Sequence, residues 1–241
     1  MTYAVWGWGE PADEPSVDAL AAIAPFVAET TGIPAQDPFA PRLLPHLRTP
    51  RTDVPPALAS LASTDATDRA RHGIGRSYRD LIRAIRGELT SVPDVVLRPR
   101  TEQDVVDILD WAGSADVPVV PYGGGTSVVG GVEPVGLDRA VSLDLQRLAG
   151  LIEVDLTSRA VRVRAGTLGP AVEDALRPHG LTLRFYPQSF ERSSVGGWLA
   201  TRAAGHFSTG PTHIDDLVES VRAVTPTGLW ESRRLPASGA G

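Results

Sequence analysis

The chain changes character near residue 91, and that change limits its possible folds more than any other feature. Ten prolines (Pro11, Pro15, Pro25, Pro34, Pro38, Pro41, Pro45, Pro50, Pro55 and Pro56) interrupt the first ninety residues. Proline fixes φ and removes a backbone donor, so neither a strand ladder nor a long helix is easily sustained there. Residues 1–90 therefore read as a mostly helical or irregular extension without a strand pattern. Ser16 followed by Leu20, Ile23 and Val27 marks a capped helix with Pro25 inside it, and Leu81, Ile82 and Ile85 mark a second short one. Trp6 and Trp8 read as packing anchors, with ligand stacking as the alternative.

From Val92 onward strands and helices alternate. Val95 to Leu97 is a short apolar run stopped by Pro99, and Thr101 with Asp104 forms a capping box ahead of Val105, Ile108, Leu109 and Ala112 at helical spacing. Val117 to Pro121 is the next strand, completing a βαβ-like unit. Ala140 to Leu145 predicts another strand, and 151–155 with 160–164 predicts a hairpin, because Val161, Val163 and Ala165 alternate with Arg162 and Arg164. A helix is expected from Leu168, capped by Thr167, with Val172 and Leu176 inward and a Glu173/Arg177 pair outward. Further strands are expected at Leu181 to Phe185, Val218 to Val224 and Leu229 to Glu231. The small-residue tail after Leu235 reads as cut off.

What the chain lacks narrows its chemistry. All 23 positive residues are arginine and there is no cysteine. A lysine-dependent P-loop, a pyridoxal Schiff base, a thiolate nucleophile, a disulfide and an iron–sulfur cluster are excluded at once. A net charge of -6 argues against a nucleic-acid partner, which would require a basic face. No run is long and apolar enough for a transmembrane segment, so the expectation is a cytoplasmic protein. None of His46, His72, His179, His206 and His213 has a metal-ligand spacing, and no metal is expected.

Two segments can carry chemistry. Pro121-Tyr122-Gly123-Gly124-Gly125-Thr126-Ser127 leaves a strand with three consecutive residues that have no side chain, then two hydroxyls. Such a loop can turn its backbone N–H groups onto an anion, or it can be a flexible turn. The second runs from Pro187 to Gly205. In it Ser193 and Ser194 are natural helix caps, and Gly196 and Gly197 permit close approach to a backbone or a flat ligand. Together they suggest one extended ligand, partly anionic and partly flat, with Arg184, Arg192 or Arg202 available for local charge.

Five segments in order carry a resemblance: Pro93-Asp94-Val95-Val96-Leu97 to Pro99; Asp104-Val105-Val106; Pro121 to Val128; Ser193 to Gly205; and Val224-Thr225-Pro226-Thr227-Gly228. They resemble the FAD-binding domain of the vanillyl-alcohol oxidase/p-cresol methylhydroxylase superfamily, and within it the alkylglycerone-phosphate synthase family. Trp6-Gly7-Trp8-Gly9 and Arg69-Ala70-Arg71-His72-Gly73 match that family's opening segments. The resemblance implies an α+β fold. A PCMH-type FAD-binding domain of two α/β subdomains would occupy residues 91–241, following the extension and incomplete at its C-terminus.

The implied cofactor is FAD; some members of the superfamily attach flavin through a histidine, which leaves His72 or another open to that role, and the expectation here is non-covalent FAD. Pro121, Tyr122, Gly123, Gly124, Gly125, Thr126 and Ser127 would cradle its pyrophosphate. Gln188, Ser189, Phe190, Glu191, Arg192, Ser193 and Ser194, with Thr201, Arg202, Ala203 and Ala204, would contact the flavin and its ribityl side. Gln188 and Ala204 depart from the family's aspartate and serine. The family's third FAD loop and its catalytic residues match nothing in this chain. The resemblance implies acyl-to-alkyl exchange on acyl-dihydroxyacetone phosphate in ether lipid synthesis, a small-molecule or lipid-like substrate, and a full-length protein that can form a homodimer. The alternatives are an FAD-linked dehydrogenase of a 2-hydroxy acid such as D-lactate or glycolate, and an inactive truncated fragment.

Overall fold

In the computed structural model, residues 7–10, 12, 15–34, 47–206 and 213–234 are described. Trp6, His46 and the segment after Leu235 lie outside them. The centre is a four-stranded sheet in the order β1-β2-β4-β3, made of β1 (Ala62–Ser63), β2 (Val95–Leu97), β3 (Val119–Tyr122) and β4 (Val141–Asp144). β2, β4 and β3 are parallel, and β1 joins the edge antiparallel, Ala62 opposite Leu97. The βαβ unit is present, with β4 inserted between its two strands.

The sheet's alternation assigns its two faces. Val95, Leu97, Val141 and Leu143 share a core with Val105, Ile108 and Ala112 of α4 (Glu102–Ser114) and with Leu58 and Leu61. The capping box expected for α4 is formed, with Asp104 N donating to Thr101 Oγ1 at 3.1 Å and Thr101 N donating to Asp104 Oδ2 at 3.0 Å. Ser142 and Asp144, which alternate with those residues, point to the opposite face. Beside it lie α2 (Ala66–His72) and α3 (Tyr78–Arg86), whose own core joins Ala70, Ile74, Ala84, Leu89 and Val92.

The proline-rich extension thus supplies an edge strand and a covering layer, although no strand was expected in it. Its first helix, α1 (Val17–Thr31), is capped by Ser16 and contains Pro25, as its pattern indicates. Asp94, fully buried, ties the extension down by accepting from Arg48 at 2.5 Å and from Thr52 at 2.8 Å.

Beyond the sheet lie the hairpin β5 (Leu151–Asp155) and β6 (Ala160–Val163), then α5 (Gly169–Leu176), α6 (Val195–Ala200), and the hairpin β7 (Arg222–Thr225) and β8 (Gly228–Glu231). Three local expectations are corrected. Residues 181–185 form no strand; the extended segment feeds Phe185 into a cluster with Trp198 and Ile214 instead. Thr167 does not cap α5, whose N-cap is Leu168. Its hydroxyl accepts from Gly150 N and donates to Arg164 O, tying the preceding hairpin down. Glu173 does not pair with Arg177; Thr182 and Leu183 N occupy its carboxylate, and Arg177 pairs with Asp174 at 2.9 Å.

Candidate functional site

The first loop leaves the carboxyl end of β3, where open parallel sheets place their ligand crevices. Gly125 has φ +66°, a left-handed conformation that L side chains rarely adopt, and a Cβ there would overlap the Tyr122 hydroxyl. Its neighbours are bare for a different reason. A Cβ on Gly123 would overlap the Ser194 hydroxyl, and one on Gly124 would overlap the Arg192 carbonyl oxygen. The two loops singled out by sequence are therefore pressed main chain against main chain.

Among the described residues, the N–H groups of Gly124, Gly125, Thr126 and Ser127 donate no hydrogen bond within the protein. Gly124 and Gly125 are buried all the same. A run of unpaired main-chain donors at a buried site is rare unless a ligand completes it, because each would otherwise lose its water without replacement. The Thr126 hydroxyl is likewise open, whereas Ser127 Oγ accepts from Gly131 N at 2.9 Å. The Ser127 carbonyl is fixed from below by Arg76 N at 2.7 Å, and a Cβ on Gly75 would come within 2.5 Å of it.

The second loop turns Ser193 and Ser194 inward. Ser193, buried, accepts from Trp198 Nε1 at 2.6 Å and donates to Ser189 O at 2.8 Å. Ser194 Oγ caps α6 by accepting from Gly197 N. Phe190 packs near Trp198 and Tyr186, with its carbonyl and ring against Gly169. Gln188 and Glu191 are exposed, and Arg192 reaches back to Glu10 at 3.5 Å. At the far end of α6, Thr201 Oγ1 donates to Gly197 O. Arg202 has φ +50° and pairs with Asp215 at 3.0 Å, Ala203 N donates to Trp198 O, and Ala204 bridges to His213.

Sequence reasoning missed what lies beneath the first loop. His72 is buried against the Tyr122 ring, with centroids 4.1 Å apart. Its Nδ1 is 2.7 Å from Asp68 O and its Nε2 3.2 Å from Asp144 Oδ2. Asp144 also accepts from Arg98 Nε and Gln146 N, and Arg98 makes a bidentate pair with Asp68 at 3.0 Å on both arms. Burial opposes ionisation of Asp144, but the His72 and Gln146 hydrogen bonds and the charges of His72 and Arg98 outweigh it and hold the carboxyl below the usual range. The Arg69 to Gly73 segment reads from sequence only as a family match, with no partner assigned to His72. Among the described residues no group of histidine, aspartate or glutamate could hold a metal ion, and no helix is long and apolar enough to cross a membrane.

A model of the FAD-binding domain family matches residues 93–232, more than half of the chain. The chain belongs to that family. Its cofactor is FAD, and the unpaired donors of residues 124–127 fit the dinucleotide's diphosphate. Alkyldihydroxyacetonephosphate synthase of Dictyostelium discoideum is 39% identical over 178 residues, taking in 73% of this chain and 29% of that protein. The synthase of the same name from Trypanosoma brucei brucei is 36% identical over 171 residues, 70% of this chain and 28% of that protein. A solved structure of an alkyldihydroxyacetonephosphate synthase superposes with a TM-score of 0.82 at 30% identity, covering 95% of this chain and 49% of that one. The matches to the curated relatives thus span less than a third of their length, and about half of the solved structure is covered.

Proposed function

We propose that this chain is the FAD-holding portion of an alkyldihydroxyacetonephosphate synthase, which exchanges the acyl group of an acyl-dihydroxyacetone phosphate for a long-chain alcohol. One observation supports the cofactor role most: four consecutive N–H donors, from Gly124 to Ser127, unpaired among the described residues, at whose start Gly124 is pressed against the second loop. Hydrogen bonds to a charged acceptor contribute about 1.5–3 kcal/mol each, so such a row can hold two phosphate charges in a protein of net charge -6 without a lysine.

When bound, the flavin would supply an electrophilic ring to the substrate's reacting carbon. In this reading the chain's own residues bind and orient. Gly124, Gly125, Thr126 and Ser127 fix the diphosphate. Pro121, Tyr122 and Gly123 set the exit from β3. Gln188 to Ser194 and Thr201 to Ala204 support the flavin end. Ser193 and Ser194 do so as scaffold, since their hydroxyls are committed to Trp198 and Gly197.

The test is to supply FAD to this chain and to a full-length protein containing it, then assay acyl-to-alkyl exchange and dye-linked oxidation of D-lactate and glycolate. We expect both to bind FAD and only the full-length protein to turn over, in the exchange assay. Oxidation of a 2-hydroxy acid without exchange would favour the dehydrogenase reading.

A further inference from the structure

The glycine loop is gripped at both ends. Gly123 and Gly124 are set by the second loop, where the Ser194 hydroxyl and the Arg192 carbonyl occupy the places of their missing side chains. Ser127 is set by its carbonyl, which accepts from Arg76 N at 2.7 Å. Gly125 lies between these fixed points, and its N–H makes no hydrogen bond among the described residues. A glycine populates positive and negative φ about equally, so nothing in Gly125 itself selects φ +66°. Any other value would turn the peptide groups on either side of it and break the row of donors.

What touches Gly125 is the side chain three residues before it. A Cβ on Gly125 would overlap the Tyr122 hydroxyl and would lie 2.5 Å from Cζ and 2.9 Å from Cε2 of the same ring. All three nearest atoms belong to Tyr122, so the outer half of its ring fills the space that a side chain at 125 would take. Tyr122 is itself anchored. It is buried, ends β3 opposite Asp144 of β4, and packs against the His72 ring with centroids 4.1 Å apart. The strand thus delivers a fixed aromatic plate against the third glycine of the loop that leaves it.

Resting on the reading of this loop as the diphosphate cradle, we propose that Tyr122 is its positioning residue. The ring holds Gly125 in the left-handed conformation, so that the N–H groups of residues 124–127 are aligned before FAD arrives. It acts by its bulk and donates nothing to the cofactor. Holding one residue's backbone in a single conformation is worth about tenfold in affinity, because that ordering no longer has to be supplied on binding.

The experiment measures FAD affinity by quenching of flavin fluorescence, and folding by urea unfolding, in the unmodified protein, Tyr122→Phe, Tyr122→Leu, Gly125→Ala and the double variant Tyr122→Leu/Gly125→Ala. Phenylalanine keeps Cε2 and Cζ, whereas leucine stays apolar but stops short of both. We expect Tyr122→Phe to bind within about threefold of the unmodified protein, and Tyr122→Leu about tenfold more weakly. Gly125→Ala should bind at least about tenfold more weakly, because its methyl meets the ring in a conformation that alanine resists. The double variant should bind no more weakly than Gly125→Ala alone, since the atoms that the methyl meets are gone. A ring that served stability alone would lower the urea midpoint, leave the affinity of the folded protein unchanged and give additive losses. Should Tyr122→Leu fail to fold, 1H–15N spectra of the unmodified protein decide the matter. One sharp set of Gly125 and Thr126 signals before FAD is added, with nuclear Overhauser contacts from Gly125 to the Tyr122 ring, supports the inference, and a loop that exchanges among conformers until FAD is added overturns it. Unchanged affinity in Tyr122→Leu, or additive losses in the double variant, overturns it while leaving the cradle intact. Failure of the unmodified protein to bind FAD would remove both.

Discussion

The two site loops both carry hydroxyls and put them to opposite uses. Residues 121–127 and 187–194 both combine small or hydroxyl residues at the end of an extended segment. In the second loop two of the three hydroxyls are bonded inside the protein: Ser193 to Trp198 and Ser189, Ser194 to Gly197. In the first, four successive N–H groups are bonded to nothing among the described residues. A loop whose polar groups are satisfied can be rigid without a ligand, and its rigidity can hold a neighbour whose groups are not. The glycines at 123 and 124 are bare so that this neighbour can sit against the rigid loop; their bareness toward a ligand is secondary.

The sharpest way to break this division of labour is at the contact itself. Gly124→Val drives a branched side chain into the Arg192 carbonyl, a backbone group that cannot rotate away. We expect loss of measurable FAD binding, with destabilisation of about 3 kcal/mol or more, read from flavin fluorescence and urea unfolding. Next in size is Ser193→Ala, which leaves the buried Trp198 N–H without a partner. It should cost about 1–3 kcal/mol in the same unfolding experiment and change FAD affinity only through that loss. If Ser193→Ala abolished cofactor binding in a stably folded protein, the second loop would be a ligand contact and the contrast would collapse.

A third test uses acid, since the first loop stands over the buried Asp144 and the half-buried Asp68. Burial opposes ionisation of Asp68 and Asp144, but their hydrogen bonds and the charges of Arg98 and His72 hold both below the usual carboxylate range. A lowered folded value means that their stabilisation is full above the ordinary range, near about pH 4, and is lost as pH falls through it. The urea midpoint should stay level from about pH 7 to about pH 5 and then fall, and the fall should be shallower in Asp144→Asn. The smallest effect is expected at Thr126→Ala. Removing one neutral hydroxyl donor should weaken FAD about two- to tenfold without touching stability.

Much of this was legible in the residues. The capping box of Thr101 and Asp104, the hairpin carried by the Val161/Arg162 alternation, and the glycine loop after β3 are short-range patterns, and short-range patterns survive folding. What was not legible is tertiary. The edge strand Ala62–Ser63 has only two residues, too few to show a period, and exists because Leu97 is there to pair with it. Glu173 stands four before Arg177, a good helical pair, but the amide of Leu183 and the Thr182 hydroxyl return to claim it. His72 and Asp144 are 72 residues apart, and no local pattern shows that a histidine in a helix will lie under a glycine loop.

The measurement closest to the central claim is an amide-resolved one: 1H–15N spectra and hydrogen exchange of the protein with and without FAD. On this account the N–H groups of Gly124, Gly125, Thr126 and Ser127 shift downfield and become protected when FAD is added, while those of Phe190, Arg192 and Ser193, already bonded to Pro187 and Ser189, change little. Shifts and protection confined to residues 188–194, with 124–127 still exchanging freely, would contradict it.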